Sequence, residues 1–415
     1  MNEPIRNWAG NITYATKSVH TPRTVAEVQD IVRDARKARA LGSRHSFNRI
    51  ADTDEDLISL QHLNRVVSLD KAARTVTVEG GITYGQLCPL LDAEGFALHN
   101  LASLPHISVV GACTTATHGS GNTNMNLAAA VSSLEIVTAS GEIVTLSRGE
   151  PDFEGAVVGL GGLGIVTRTT LDILPRFEVR QNVYVDLPFS QLVENFDALT
   201  SSAYSVSAFT HWRGDHVAQV WLKSLADAPH PGGDFFGARP ADRPYHPIAS
   251  IDPAPATEQM GVAGPWHERL PHFRMAFVPS AGAELQSEYF VPRTDAAAAL
   301  QALRLIQDQI APHLLVSEIR TIAADGFWMS PAYRQDSVAF HFTWKQDWAA
   351  VSKVLPVIEA QLNVFGTRPH WGKLFTMPGR DVEARYERLA DFRELLRRTD
   401  PDGKFRNAFL DAYVF

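Results

Sequence analysis

Cysteine is scarce in this chain: Cys88 and Cys113 are the only two among 415 residues. That excludes the disulfide framework that staples small secreted domains. Each cysteine lies among apolar or small residues, so buried free thiols and a reducing cytoplasm are expected. Long hydrophobic runs are missing too. None approaches the roughly 18 residues that span a bilayer, and residues 1–8 have no apolar core of a secretory leader. Positive charge is not in surplus: 38 Lys and Arg face 46 Asp and Glu, a net charge of −8. With no basic cluster either, a nucleic-acid surface is excluded. Of the 15 histidines, none stands at metal-ligand spacing from Cys, Asp or Glu, so no metal is expected. A serine nucleophile lacks its Gly-x-Ser-x-Gly elbow, since Gly119-Ser120-Gly121 is too short. The glycine-dense passage 159–164 runs into a strand rather than out of one, so it is not the dinucleotide fingerprint.

What is present is a globular composition, 45% hydrophobic, at a length that calls for two domains. Thr24 with Glu27, and Thr83 with Gln86, have capping-box spacing and open two helices, the second ending at Gly95. Short strands at 57–60, 66–69, 75–78, 134–138 and 143–146 include two hairpins, turning at 70–73 and 139–142. Helices alternating with hairpins give an α+β pattern. The second half begins near residue 176, with strands at 183–185, 206–209 and 218–222 and a helix from about Asp295 to Ile310. Between them, residues 229–255 hold seven prolines (Pro229, Pro231, Pro240, Pro244, Pro247, Pro253 and Pro255). Such a stretch cannot be regular structure and reads as a long surface excursion, a lid or an interface.

Five stretches carry chemistry. Leu41-Gly42-Ser43-Arg44-His45-Ser46 is a small-residue turn with a histidine at its tip, able to converge backbone N–H groups on an anion. Residues 106–121 are small and hydroxyl-rich, which lets the backbone approach a flat ligand closely. In 316–322, period-2 geometry puts Glu318 and Arg320 on one face. In 339–344, His341 and Thr343 share a face opposite Phe340, Phe342 and Trp344. That polar face is either solvated or lines a site. His370-Trp371-Gly372-Lys373 adds a cation beside an aromatic, and the polar turn at 400–407 returns toward the first domain.

These residues carry a resemblance. Residues 7–14, the His45-Ser46-Phe47-Asn48 turn, 102–108, Thr117-His118-Gly119-Ser120-Gly121, 264–274, Glu318-Ile319-Arg320-Thr321, His341-Phe342-Thr343-Trp344 and 368–373 together resemble the vanillyl-alcohol-oxidase-type flavoproteins, and within them the alditol (xylitol) oxidases of actinobacteria. The resemblance runs end to end. It implies a two-domain vanillyl-alcohol-oxidase-type (PCMH-type) fold: an FAD-binding domain at 1–175, a mixed-sheet substrate (cap) domain at 176–375, and a segment at 376–415 returning to the first. It implies FAD joined covalently through His45. Leu41, Gly42, Ser43, Arg44 and Ser46 would wrap the pyrophosphate. Ser103, Ser108, Gly111, Thr115, Ala116, Thr117, His118 and His370 would follow the flavin, with backbone groups of Ile165 or Val166 at the adenine end. Ser103, Glu318, Arg320, Thr343 and Lys373 would hold a polyol. Arg320 and Lys373 would supply a positive field, Glu318 would orient Arg320 and a substrate hydroxyl, and His341 would take the proton. The family has glycine at Arg44: a positive φ there strains the arginine, whereas a negative one frees its guanidinium for the pyrophosphate. The implied reaction is alditol plus O2 giving aldose plus H2O2, catalysed by a cytoplasmic monomer without membrane or nucleic-acid partners. Ala102 would stand beside the flavin edge that meets oxygen. The alternative is an aldonolactone oxidase or dehydrogenase, against which the 264–274 passage and the Lys373 motif speak.

Overall fold

The computed structural model describes residues 4–229, 232–277 and 282–415. The first half holds two sheets. Strands Ser18–His20, Asp56–Ser59 and Ala38–Leu41 lie side by side in that order, all parallel. The helix Val25–Asp34 joins the outer two and buries Val28 and Val32. Thr24 caps it by accepting from Glu27 N, 3.1 Å. The reciprocal half of the expected box is absent, because the Glu27 carboxylate takes the N–H of Arg23 instead, 2.6 Å. At the helix Tyr84–Ala93 both halves of the box form, and Gly95 ends the helix at φ +82°.

The second sheet has five antiparallel strands, ordered Val66–Asp70, Thr75–Glu79, Ile165–Asp172, Val131–Val137 and Ile143–Ser147. Both expected hairpins are present. In the first, Asp70 Oδ1 accepts from the N–H groups of Ala72 and Ala73.

The second half is built on one large sheet. Its order is Arg239–Pro240, Glu178–Pro188, His216–Leu225, Ser205–Thr210, Leu314–Ile322, Ser337–Lys345, Glu284–Pro292 and Arg368–Pro369, with Gly264–Pro265 beside Glu178–Pro188. Every named pairing is antiparallel, which corrects the expectation of a mixed sheet. Each helical connection, from Glu178–Pro188 to Ser205–Thr210 and from Glu284–Pro292 to Leu314–Ile322, joins two strands of like direction, and a later strand inserts between them antiparallel to both. The two faces differ in kind. Val220, Leu222, Ile319, Phe340, Phe342 and Trp344 point to one side, where Leu192, Leu300, Leu303, Val351, Leu355 and Ile358 of the covering helices meet them. Burial of each such side chain contributes about 1.5–3 kcal/mol. The opposite face, carrying the alternate residues, looks into the cavity described below.

The helix expected over 295–310 is two helices, Ala296–Leu305 and Gln307–Ile310. The chain breaks at Ile306 (φ −111°), so that Ile306 and Ile310 both reach the core while Leu305 is left 84% exposed. Within 229–255 the two-residue strand Arg239–Pro240 is the only named element among the described residues; Pro231 lies outside them. The C-terminal turn does return: Lys404 O accepts from Ala38 N, and Asn407 Nδ2 donates to the carbonyls of Ile50 and Asp52. Among the described residues no helix is long and apolar enough to cross a membrane.

Arg44 settles one alternative. Its φ is +61°, so the turn demands a left-handed residue, and the guanidinium turns to the carbonyl of Arg6, 3.4 Å. Left-handed backbone costs a residue with a Cβ about 1–2 kcal/mol. Arg44→Gly is therefore expected to raise stability by about 1 kcal/mol, whereas Arg44→Ala gives no gain, as read from urea midpoints.

Candidate active site

A cavity of about 990 Å³ lies between the two halves, at the top of the range of about 300–1,000 Å³ for ligand sites. Its lining from the first half contains Arg39 and Arg44 and, among the described residues, no carboxylate. Apolar walls such as Leu41, Leu60, Ile107 and Val110 alternate there with the hydroxyls of Ser43, Ser108, Thr115 and Thr117. Gly42 and Gly111 close around Ser108: a Cβ on either would come within 2.7 and 2.5 Å of its hydroxyl. Ser108 N in turn donates to Ser43 Oγ, 3.2 Å. Room for a dinucleotide, small side chains at the approach and positive charge without opposing carboxylates all fit an anionic, flat cofactor. Of the expected cofactor residues, Ala116 and Ile165 do not line the cavity. Ala116 is 1% and Ile165 0% exposed, and the Ile165 side chain packs instead on Val28, Val32 and Phe405. The others do line it.

His45 stacks on Trp8, ring centroids 4.3 Å apart, and its Nε2 lies 2.5 Å from Nε2 of His106. Burial, then the charges of His106 and Lys373, lowers His45 to about 3. The ring is therefore neutral and keeps a lone pair. The same turn holds the far side of the site. Phe47 N donates to Gly372 O, and Asn48 Nδ2 donates to the carbonyls of Trp371 and Lys373, both 2.7 Å.

The polar face of the large sheet supplies the rest. Strand register sets Glu318, His341 and Glu288 in one row across three strands. Glu288, 0% exposed, accepts from Arg320 Nη2 at Oε1 and from Lys373 Nζ at Oε2, each 2.7 Å. His118 Nε2 lies 3.3 Å from the same Oε1. Burial alone would raise this carboxyl, but Lys373, His118 and Arg320 hold it well below the usual range. Lys373 Nζ also donates to His341 Nδ1, 2.7 Å, and His341 Nε2 meets Thr343 Oγ1 at 3.0 Å. Burial lowers His341 to about 4, so its proton sits on Nε2 and its Nδ1 is an acceptor. Burial lowers His370 as well, and its Nδ1 accepts from Gly372 N, 3.0 Å. Ser103 reaches the same cavity, and its carbonyl accepts from the N–H of His272.

One expectation needs correction. The close carboxylate of Arg320 is Glu288, whereas Glu318 Oε2 stands 3.6 Å from Arg320 Nε. Glu318 bonds instead to His272, Oε1 to Nε2, 2.7 Å. Glu288 escaped the sequence reading although Glu284, Gln286 and Glu288 alternate as His341 and Thr343 do. Lys223 escaped it because the strand expected at 218–222 stops one residue short of it, whereas the strand runs on to Leu225.

The neutral histidines make stability pH-dependent. His45, His272 and His341 titrate at about 3, about 4 and about 4 in the folded chain but near 6.5 when unfolded. The unfolded state thus binds protons first as pH falls. Stability is full above about 6.5 and is lost on acidification toward 4. Urea midpoints at descending pH are expected to fall steeply below about 6.5; a flat profile down to about 5 would contradict the neutral assignment.

Residues 16–147 match the family described as FAD binding domain, and residues 283–413 match the family described as D-arabinono-1,4-lactone oxidase. The chain is 50% identical over 413 residues to an alditol oxidase of a Streptomyces species, covering 99% of both chains. It is 28% identical to an L-gulono-1,4-lactone dehydrogenase of Mycobacterium tuberculosis, covering 97% of each. The structure superposes on the cholesterol oxidase of B. sterolicum with a TM-score of 0.80 at 16% identity, covering 100% of this chain and 97% of that one, which shows the shared vanillyl-alcohol-oxidase-type fold. By its end-to-end identity to the first of these relatives, the chain belongs to the alditol oxidase family of FAD-linked oxidases.

Proposed function

We propose that the protein oxidises the terminal primary alcohol of alditols such as xylitol and sorbitol to the aldose, with O2 reduced to H2O2. The observation that carries this reading is the pair Arg320 and Lys373, neutralised by buried Glu288 on the wall of the cavity that the His45 turn also lines. Two cations against Glu288 and Glu318 leave no net charge for an acidic substrate. They do leave many fixed donors and acceptors, as an uncharged polyol needs. The name of the 50% identical relative agrees. So does His272, which brings the 264–274 passage into the site and so favours the alditol over the aldonolactone reading.

Bound FAD would accept the hydride from the alcohol carbon and pass the electrons to O2. Residues 1–175, chiefly Leu41, Gly42, Ser43, Arg44, Ser46, Ser108, Gly111, Thr115 and Thr117, would hold it, and His45 would be its covalent anchor. The neutral, stacked His45 ring, with a lone pair available, supports that attachment. Ser103, Glu318 and Thr343 in 176–375 and the adjoining first domain would fix the polyol hydroxyls. Arg320 and Lys373 would lower the cost of negative charge growing on the alcohol oxygen. His341 would take the hydroxyl proton at Nδ1. In the structure Lys373 donates to that atom, so the ammonium has to release it and turn to the alcohol oxygen as substrate enters. The two free buried cysteines suit a reducing cytoplasm, where a monomer would meet both substrates by diffusion.

Xylitol in air is expected to yield H2O2 and the aldose in equal amounts; H2O2 from an aldonolactone but from no alditol would transfer the reading to lactone oxidation. A denaturing gel is expected to show flavin fluorescence on the polypeptide, lost in His45→Ala. Lys373→Met is expected to lower kcat by about 10²–10³-fold, and an unchanged kcat would remove Lys373 from the chemistry.

A further inference from the structure

Lys223 has no part in that reaction, yet it is a lysine only 1% exposed, in the strand His216–Leu225. Its Nζ donates to the carbonyls of Leu270 and Pro271, 2.6 and 2.8 Å, and faces Nδ1 of His272 at 3.3 Å. Three hydrogens meet three acceptors. The His272 ring is held edge-on between Phe209 and Trp221, centroids 5.4 Å from each. Burial, against the pull of Glu318, lowers His272 to about 4, so the ring is neutral and carries one proton. The ammonium offers Nδ1 only hydrogens. The ring proton is therefore on Nε2, where it donates to Glu318 Oε1 at 2.7 Å.

That bond matters for Arg320. A carboxylate beside a guanidinium tends to a bidentate pair, which uses both oxygens. Here one oxygen is held by His272, and the other stands 3.6 Å from Arg320 Nε, beyond a direct bond and open to a hydroxyl.

We propose that Lys223 and His272 are positioning residues of the substrate site: the ammonium fixes the His272 tautomer, and His272 holds Glu318 away from Arg320 so that its second oxygen accepts from an alditol hydroxyl. The inference rests on the reading of Glu318 as a substrate contact. It carries a pH signature. Lys223 is lowered to about 7 by burial, with Glu318 opposing and Arg320 reinforcing. The titratable groups facing it among the described residues are His272, Glu318 and Arg320, and its strand neighbours Gln181 and Ser205 are uncharged. Above about pH 7 a lone pair replaces one of its hydrogens, Nδ1 loses its donor, and the grip on Glu318 loosens.

The test compares kcat and KM for xylitol, from about pH 6 to about pH 9, in the flavin-loaded enzyme and in Lys223→Met, His272→Phe and the double variant. Flavin absorbance and thermal unfolding serve as controls for folding. Each single variant is expected to raise KM about tenfold, as the loss of a charge-assisted hydrogen bond does, with kcat within about threefold. The bend near pH 7 in kcat/KM disappears, and the double variant is no worse than either single one. If Lys223→Met fails to hold flavin, His272→Phe, which keeps the ammonium and its two carbonyl bonds, carries the comparison alone. An unaltered KM with the bend retained, or additive effects in the double variant, would overturn the proposal. A Glu318→Gln variant separates the two layers. A rise in KM there, without one in the Lys223 and His272 variants, overturns the relay alone. No rise there overturns the placement of Glu318 at the substrate and the relay with it.

Discussion

A carboxylate shut away from water is tolerable only when opposite charge reaches it, and Glu288 is the carboxylate on which this site depends. Its two oxygens take one hydrogen bond each from Arg320 and Lys373. Remove it, and two cations face each other in a low-dielectric cavity, each free to turn to other acceptors. With it, both are held at fixed places on neighbouring elements while most of their donors remain for a ligand. Such buried ion pairs add little stability, because desolvation cancels most of the attraction. Here the gain is geometric.

The sheet makes that geometry possible. One face is sealed by helices over Phe340, Phe342 and Trp344, so the alternate residues must face the other way. Pairing across Leu314–Ile322, Ser337–Lys345 and Glu284–Pro292 then sets Glu318, His341 and Glu288 in one row. The two halves of the molecule are locked around that row. Asn48 beside the His45 turn bonds to the backbone of residues 371 and 373, Gly121 N bonds to Thr321 O, and Asn126 Nδ2 reaches Asp325. The turn proposed to anchor the cofactor and the lysine proposed to act on the substrate thus share one hydrogen-bonded frame.

Much of this was legible in the residues. Alternation placed Glu318 with Arg320 and His341 with Thr343, and small residues marked the turn at 41–46 and the stretch at 106–121. Glu288 was hidden because Glu284, Gln286 and Glu288 alternate as any half-solvated strand does; only pairing with Ser337–Lys345 shows what they face. Lys223 was hidden for a different reason. The strand legible at 218–222 stops one residue short of it, and its three acceptors come from a strap nearly fifty residues away. The break at Ile306 and the positive φ of Arg44 are tertiary outcomes, in which packing overrides helix propensity and backbone preference.

The most direct test of this account is the visible spectrum of the protein under argon as xylitol is added, followed by air, for the natural sequence beside Glu288→Gln. The account predicts that xylitol bleaches the flavin band of the natural protein and that air restores it. It predicts bleaching about a hundredfold slower in Glu288→Gln, with the flavin still bound. Equal bleaching rates in the two proteins would contradict the view that Glu288 holds Arg320 and Lys373 in working position.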